Sequence, residues 1–257
     1  MRIVLIGAGN VATSIGGALK AAGHEISALY SRTEQSAKEL SEKLRVPYTT
    51  SLNKLPHDAD IYISMLKDDA LMQLAPEIVA LNRKALFVHT AGSLPLSLWK
   101  DAGAEKYGVL YPMQTFSKGK RVDIQNVPLF VEGSSEQVLQ EIMHMAKSLS
   151  QKVKELDSES RKRLHIAAVF ACNFTNRMYA ISNVLLEESG VDFKVMLPLI
   201  EETAEKVATL PPSQAQTGPA IRGDVRVMDS HLESLKSHPD FAEIYKLMSD
   251  NILKSII

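Results

Sequence analysis

Gly7, Gly9 and Ala12 stand at the spacing Gly-x-Gly-x-x-Ala, between the apolar run Arg2–Ile6 and an amphipathic stretch that opens at Asn10 and Val11. Each position meets a physical requirement: Gly7 permits a tight turn, Gly9 removes a side chain that would block a pyrophosphate, and Ala12 lets a helix pack close on a strand. The first N–H groups of that helix then face an anion. The spacing alone is common. Set between a strand and a helix, with a second strand following, it predicts a dinucleotide site; the alternative is a turn whose glycines are only structural. The second strand, Glu25–Tyr30, leads into Ser31-Arg32-Thr33. A site for NAD usually carries Asp or Glu here, on the ribose 2′-hydroxyl. Arg32 between two hydroxyls suits a 2′-phosphate instead and predicts NADP. In the competing reading Arg32 is solvated and Ser31 or Thr33 caps the next helix.

Further chemistry sits where other strands end. Met65 and Leu66 follow one apolar run, and His89, Thr90 and Ala91 follow another. Ligands of open α/β sheets lie beyond the carboxyl ends of the strands, so these loops are expected near the ribose and nicotinamide. The same argument brings Tyr111-Pro112-Met113-Gln114-Thr115 to the cleft; plain turn or cap roles compete for each side chain. Farther on, a helical pattern from Ser158 places His165, Val169, Cys172 and Asn176 on one face, with Asn173 at its edge. His165 is a candidate general acid, and Asn173 and Asn176 are candidates to orient a carbonyl or carboxylate. The alternative is a satisfied histidine with amides bonded between helices. Arg222 and Asp224 follow Gly218-Pro219: Arg222 suits a carboxylate clamp, or the two pair and staple a loop. Cys172 reads as a small core residue, and the seven histidines show no metal-ligand spacing. Lys118-Gly119-Lys120-Arg121 and Arg161-Lys162-Arg163 read as solvated faces.

These residues need elements to hold them. Up to about Leu156 the runs Arg2–Ile6, Glu25–Tyr30, Ile61–Met65, Ala85–His89, Tyr107–Tyr111 and Leu129–Glu132 read as strands. Several are apolar nearly throughout, as parallel strands covered on both faces should be. Helical stretches between them include Val11–Ala22, Glu34–Lys43 and Ser134–Leu149. From Ser158 only helical patterns appear: Ser158–Ser189, Asp192–Thr209, Asp224–Ser234 and Pro239–Ser255, with Pro211-Pro212 as a stop. The expected domains are 1–156 for the cofactor and 157–257, all helical.

Composition narrows the class. The chain has 257 residues, 45% hydrophobic and 23% charged, with a net charge of −1. That balance favours neither nucleic acid nor an anionic membrane as partner. One cysteine excludes an internal disulfide and fits a reducing compartment. The opening apolar run meets Gly7 too soon for a signal peptide, and no segment has the apolar length of a membrane span, so a soluble cytoplasmic protein is expected.

The runs Gly7–Ala12, His89-Thr90-Ala91-Gly92-Ser93-Leu94-Pro95, Tyr111-Pro112-Met113-Gln114-Thr115-Phe116, Ala171-Cys172-Asn173-Phe174-Thr175-Asn176 and Thr217-Gly218-Pro219-Ala220-Ile221-Arg222-Gly223-Asp224 resemble one family over essentially the whole chain. Its members are Rossmann-like NADP oxidoreductases with a C-terminal helical domain of unknown function. They are similar to pyrroline-5-carboxylate reductases, 6-phosphogluconate dehydrogenases and ketopantoate reductases. The resemblance implies an α/β fold: a Rossmann-type, doubly wound, mostly parallel sheet followed by an all-α domain like the C-terminal domain of 6-phosphogluconate dehydrogenase. It also implies that the helical domain closes the cofactor cleft and forms a homodimer. One departure matters. Hydroxyacid dehydrogenases of this superfamily carry Lys and, four residues later, Asn on the first long helix, where this chain has His165 and Val169. The expected activity is NADPH-dependent reduction of a small carbonyl or imine bearing a carboxylate, such as a 2-oxoacid or ketopantoate-like compound. A deazaflavin is a variant cofactor, and a non-catalytic dinucleotide sensor or scaffold is the alternative.

Overall fold

The computed structural model describes residues 1–254 apart from 118 and 121. Two residues of the basic run at 118–121, and Ser255 at the expected end of the last helix, thus lie outside the described residues. Packing divides the chain into two compact units, Met1–Asn173 and Phe174–Ile257.

The first unit is built on one eight-stranded sheet. Its strands are β1 (Arg2–Ile6), β2 (Glu25–Tyr30), β3 (Tyr48–Thr49), β4 (Ile61–Ser64), β5 (Leu86–His89), β6 (Lys106–Pro112), β7 (Leu129–Gly133) and β8 (Val153–Glu155). They lie in the order β3-β2-β1-β4-β5-β6-β7-β8. Every neighbouring pair is parallel except β6 and β7. The chain winds outward from β1 to β3, then returns to β4 beside β1 and winds the other way. That reversal opens a crevice at the carboxyl ends of β1 and β4.

Alternation along β1 explains the two-sided core. Ile3 and Leu5 face helices α1 (Asn10–Ala21), α2 (Glu34–Leu44) and α5 (Glu136–Leu149) through Ile15, Leu19, Leu40 and Ile142. Val4 and Ile6 face the other side, with α3 (Asp68–Leu81) and the short α4 (Ser97–Asp101), through Leu71, Ile78 and Trp99. Strands buried on both faces need no polar alternation, which is why these runs read as continuous apolar stretches. The edge strands β3 and β8 have two and three residues and offer no period to detect. Helix α3 also goes beyond the expected stretches; Pro76 inside it interrupts the helical signal.

The expected continuous helix Ser158–Ser189 is observed as α6 (Ser158–Ala168), a π-helical turn (Val169–Phe174) and α7 (Thr175–Glu188). A π turn takes an extra residue, so positions after it lose the phase of those before it. The predicted common face is therefore broken: Cys172, Asn173 and Asn176 are exposed, and the cysteine is not a core residue. The second unit has helices and no strand among its described residues: α7, α8 (Leu197–Thr209), α9 (Pro212–Ala215), α10 (Val225–Ser234) and α11 (Pro239–Lys254). No helix is long and apolar enough to cross a membrane among the described residues.

Candidate functional site

The glycine turn has the geometry its spacing requires. Gly7 adopts φ 119°, and a Cβ there would come within 2.8 Å of the Met65 carbonyl oxygen. The turn thus brings the ends of β1 and β4 into contact, with the Gly7 N–H donating to the Tyr30 carbonyl at 2.8 Å. Ala12, in the first turn of α1, is fully buried against the sheet. Gly9 is the N-cap of α1, and a Cβ there would meet only open space. No side chain caps this helix and its first turn holds no acidic residue. The N–H groups at Asn10, Val11 and Ala12 therefore present unopposed positive potential at an open position, which fits a pyrophosphate. Asn10 takes part through its backbone, because its side-chain amide donates to the Phe116 carbonyl at 3.0 Å.

At the end of β2, Ser31 is buried while Arg32 and Thr33 are exposed. Thr33 is the N-cap of α2 but makes no side-chain cap bond. Arg32 forms no ion pair among the described residues. A free guanidinium beside a free hydroxyl and an uncapped helix end is a donor set that a 2′-phosphate would use.

The loops after β4 and β5 are tied together: the Thr90 N–H donates to the Ser64 carbonyl at 3.1 Å. Met65 is buried, and Leu66, Thr90 and Ala91 are half-buried beside the crevice. His89 behaves differently. Its ring is fully buried, 6.3 Å from that of Trp99, and its Nδ1 accepts the Ala91 N–H at 3.2 Å. Burial, assisted by the nearby Arg161 charge, pushes its pKa down to about 3, so the imidazole is neutral. His89 therefore shapes the Thr90-Ala91 turn and does not offer its ring to a ligand.

The next strand end carries a pair that spacing did not reveal. Tyr111, near the end of β6, places its hydroxyl 3.1 Å from Nδ1 of His165 on α6. The two rings meet edge to face, with centroids 6.1 Å apart. Gly92 lies against both: a Cβ on it would come within 2.7 Å of His165 Nδ1 and 3.0 Å of the tyrosine ring. Burial raises the Tyr111 pKa, opposed by the Arg161 charge.

Arg161 corrects an expectation. Its run reads as a solvated face, yet the side chain is 1% exposed. It forms an ion pair with Glu132 on β7 and donates to the Leu94 carbonyl at 2.6 Å. Ser158 completes the network, its hydroxyl donating to Glu132 at 2.9 Å and accepting the Leu96 N–H at 2.9 Å. Four residues on from Arg161, His165 lies one turn along α6, so the network fixes the helix that carries it. Long separations in sequence, 29 residues between Arg161 and Glu132 and 54 between Tyr111 and His165, hide both contacts.

The remaining candidates are placed apart from this cluster or in the other unit. Asn173 ends the first unit with an exposed side chain, and Asn176 lies in α7 of the second. Also in the second unit, Arg222 Nε donates to Asp224 at 3.0 Å, both side chains exposed. A cavity of about 1010 Å³ starts at Gly9 and Asn10 and runs down the outer face of α1 to Ala22. Neither Tyr111 nor His165 lines it.

Comparison with known proteins agrees with this architecture. Residues 2–92 match the family described as NADP oxidoreductase, coenzyme F420-dependent, and residues 127–252 match the domain of unknown function DUF2520. A Bacteroides fragilis protein provisionally classed as an NADP oxidoreductase is 48% identical, with 98% of each chain covered and a TM-score of 0.94. The chain belongs to this family of NADP-dependent oxidoreductases, whose cofactor is NADP. More distant structures share the fold. A Myxococcus stipitatus imine reductase, solved with NADP+, has 17% identity, a TM-score of 0.70 and coverage of 100% of this chain and 94% of its own. A Streptococcus pyogenes 1-pyrroline-5-carboxylate reductase has 16% identity, a TM-score of 0.63 and coverage of 99% and 98%. No curated protein matches the sequence.

Proposed function

We propose that this protein reduces a small carbonyl or imine substrate bearing a carboxylate, with His165 as the proton donor. The observation that carries this reading is the position of His165. It sits against Gly92, three residues past the end of β5, and Tyr111, the next-to-last residue of β6. That is the edge along which a dinucleotide lies in sheets of this topology. When bound, NADPH supplies a hydride to the substrate carbon. His165 supplies the matching proton to the carbonyl oxygen or to a neutral imine nitrogen, so hydride and proton together complete the reduction. The Gly7–Ala12 turn and Ser31-Arg32-Thr33 hold the cofactor's phosphates, and the Met65-Leu66 and Thr90-Ala91 loops flank its ribose and nicotinamide.

In this reading residues 1–156 serve the cofactor, and 157–257 serve substrate binding and dimerisation. Support for a C=N or C=O substrate comes from relatives in fold that are imine and pyrroline-carboxylate reductases. Exposed apolar residues of the helical unit support a homodimer, and the single cysteine suits the cytoplasm. A dinucleotide sensor without turnover is the second reading, on the resemblance to hydroxyacid dehydrogenases, in which His165 and Val169 replace a Lys and an Asn.

The test is NADPH oxidation over a panel of 2-oxoacids, cyclic imines and their carboxylates, with His165→Gln and Arg32→Ala as variants. Turnover of at least one compound, lowered about 100-fold or more by His165→Gln, is expected. Arg32→Ala should weaken NADPH binding about 10- to 100-fold, the worth of charge-assisted hydrogen bonds, and leave NADH binding unchanged. Tight NADPH binding with no turnover across the panel would overturn the enzyme reading in favour of the sensor.

A further inference from the structure

We infer that Tyr111 is a positioning residue for His165: by holding Nδ1, its hydroxyl makes Nε2 the nitrogen that faces the substrate. The inference rests on the reading of His165 as proton donor.

The geometry constrains the imidazole from two sides. Tyr111 is on the interior strand β6, paired with Phe130 across β7, and is buried. Its ring also lies 6.5 Å from that of Phe130. The tyrosine therefore has a fixed backbone and a packed ring, and its hydroxyl is a defined point. That point is 3.1 Å from Nδ1. Gly92 closes on the same edge of the imidazole, so closely that a methyl group there would overlap Nδ1. With Nδ1 engaged and enclosed, Nε2 is left as the nitrogen open to exchange a proton.

A tyrosine hydroxyl does this in either charge state of the ring, because it both donates and accepts. With neutral imidazole it donates to Nδ1, which leaves the ring's own proton on Nε2. With imidazolium it accepts from the Nδ1 N–H, and Nε2 again carries a proton outward. In the transfer the Nε2–H bond breaks and the proton joins the substrate heteroatom. The imidazolium becomes neutral imidazole with its remaining proton on Nδ1, which the tyrosine oxygen accepts, and a proton from solvent then returns to Nε2. The phenol itself gives up nothing: burial disfavours its ionised form. Its part is to stop the ring from flipping and from offering Nδ1 in place of Nε2.

The experiment pairs a spectroscopic readout with kinetics. Protein labelled with ¹⁵N-histidine, without cofactor, is compared with Tyr111→Phe at a pH where the ring is neutral. Phenylalanine preserves the packing on Phe130, and an unchanged melting temperature verifies the fold. The Nδ1 resonance of His165 should move to the position of an unbonded pyridine-type nitrogen in Tyr111→Phe. In turnover, kcat should fall about tenfold, the loss of one hydrogen bond, with KM for NADPH unchanged. An Nδ1 resonance that does not move, or a kcat that does not fall while His165→Gln abolishes turnover, would overturn the role of Tyr111 alone. Unchanged turnover in both variants would instead remove His165 as donor, and this inference with it.

Discussion

At the scale of single residues, burial of His89 links the fold to pH. Its imidazole has a pKa of about 3 in the folded chain. In the unfolded chain the ordinary histidine value is about 6.5. Between those values the unfolded state binds a proton that the folded state refuses, so stability is full above the upper value and is lost as pH falls. At pH 5 the loss from this residue amounts to about 2 kcal/mol. Urea unfolding at pH 7.5 and pH 5 should show that drop, and histidine NMR should show His89 still neutral at pH 5 in the folded protein. A His89 ring that gains its proton near pH 6.5 in the folded state would contradict this. The same residue marks how far sequence reasoning reaches. His89 is legible as the last residue of a strand in the right loop, but whether its ring points to ligand or to core depends on Trp99, ten residues on.

At the scale of elements, α6 is pinned by one buried charge pair and not by the apolar stripe that usually docks a helix. Its mostly polar sequence buries only Arg161. Arg161→Met would leave Glu132, on β7, desolvated without its cation, and is expected to cost about 3–5 kcal/mol. Adding Glu132→Gln should restore part of that loss, as read by chemical denaturation. Additive losses in the double variant would mean that the pair is not coupled. The strands β1, β2, β4, β5, β6 and β7 were legible because long apolar runs bounded by glycine and polar turns have few other readings. The edge strands β3 and β8 were not, being too short to carry a period. The break between α6 and α7 was hidden for a different reason: a π turn changes helix phase without any residue type that announces it.

At the scale of the whole molecule, the helical unit exposes apolar side chains that its own helices leave uncovered. Val195, Leu199, Val207 and Leu247 are each more than half exposed, at 58%, 58%, 51% and 70%. Apolar exposure of this kind marks association surfaces. The proposed homodimer predicts that sedimentation reports twice the chain mass, and that Leu199→Glu with Val207→Glu shifts it to monomer. A wild-type monomer at micromolar concentration would remove the dimer from the proposal. The cofactor turn could be read from its sequence spacing alone. Gly7, Gly9, Ala12 and the Ser31-Arg32-Thr33 strand end were legible as a proposed site from local backbone geometry and local charge, and the structure adds the close approach of Gly7 to Met65. The catalytic candidate is the opposite case. His165 acquires a partner, an orientation and an anchored helix only when β5, β6 and β7 bring Gly92, Tyr111 and Glu132 to it. The forces that select among its possible roles are short-ranged, while the residues that exert them are distant along the chain.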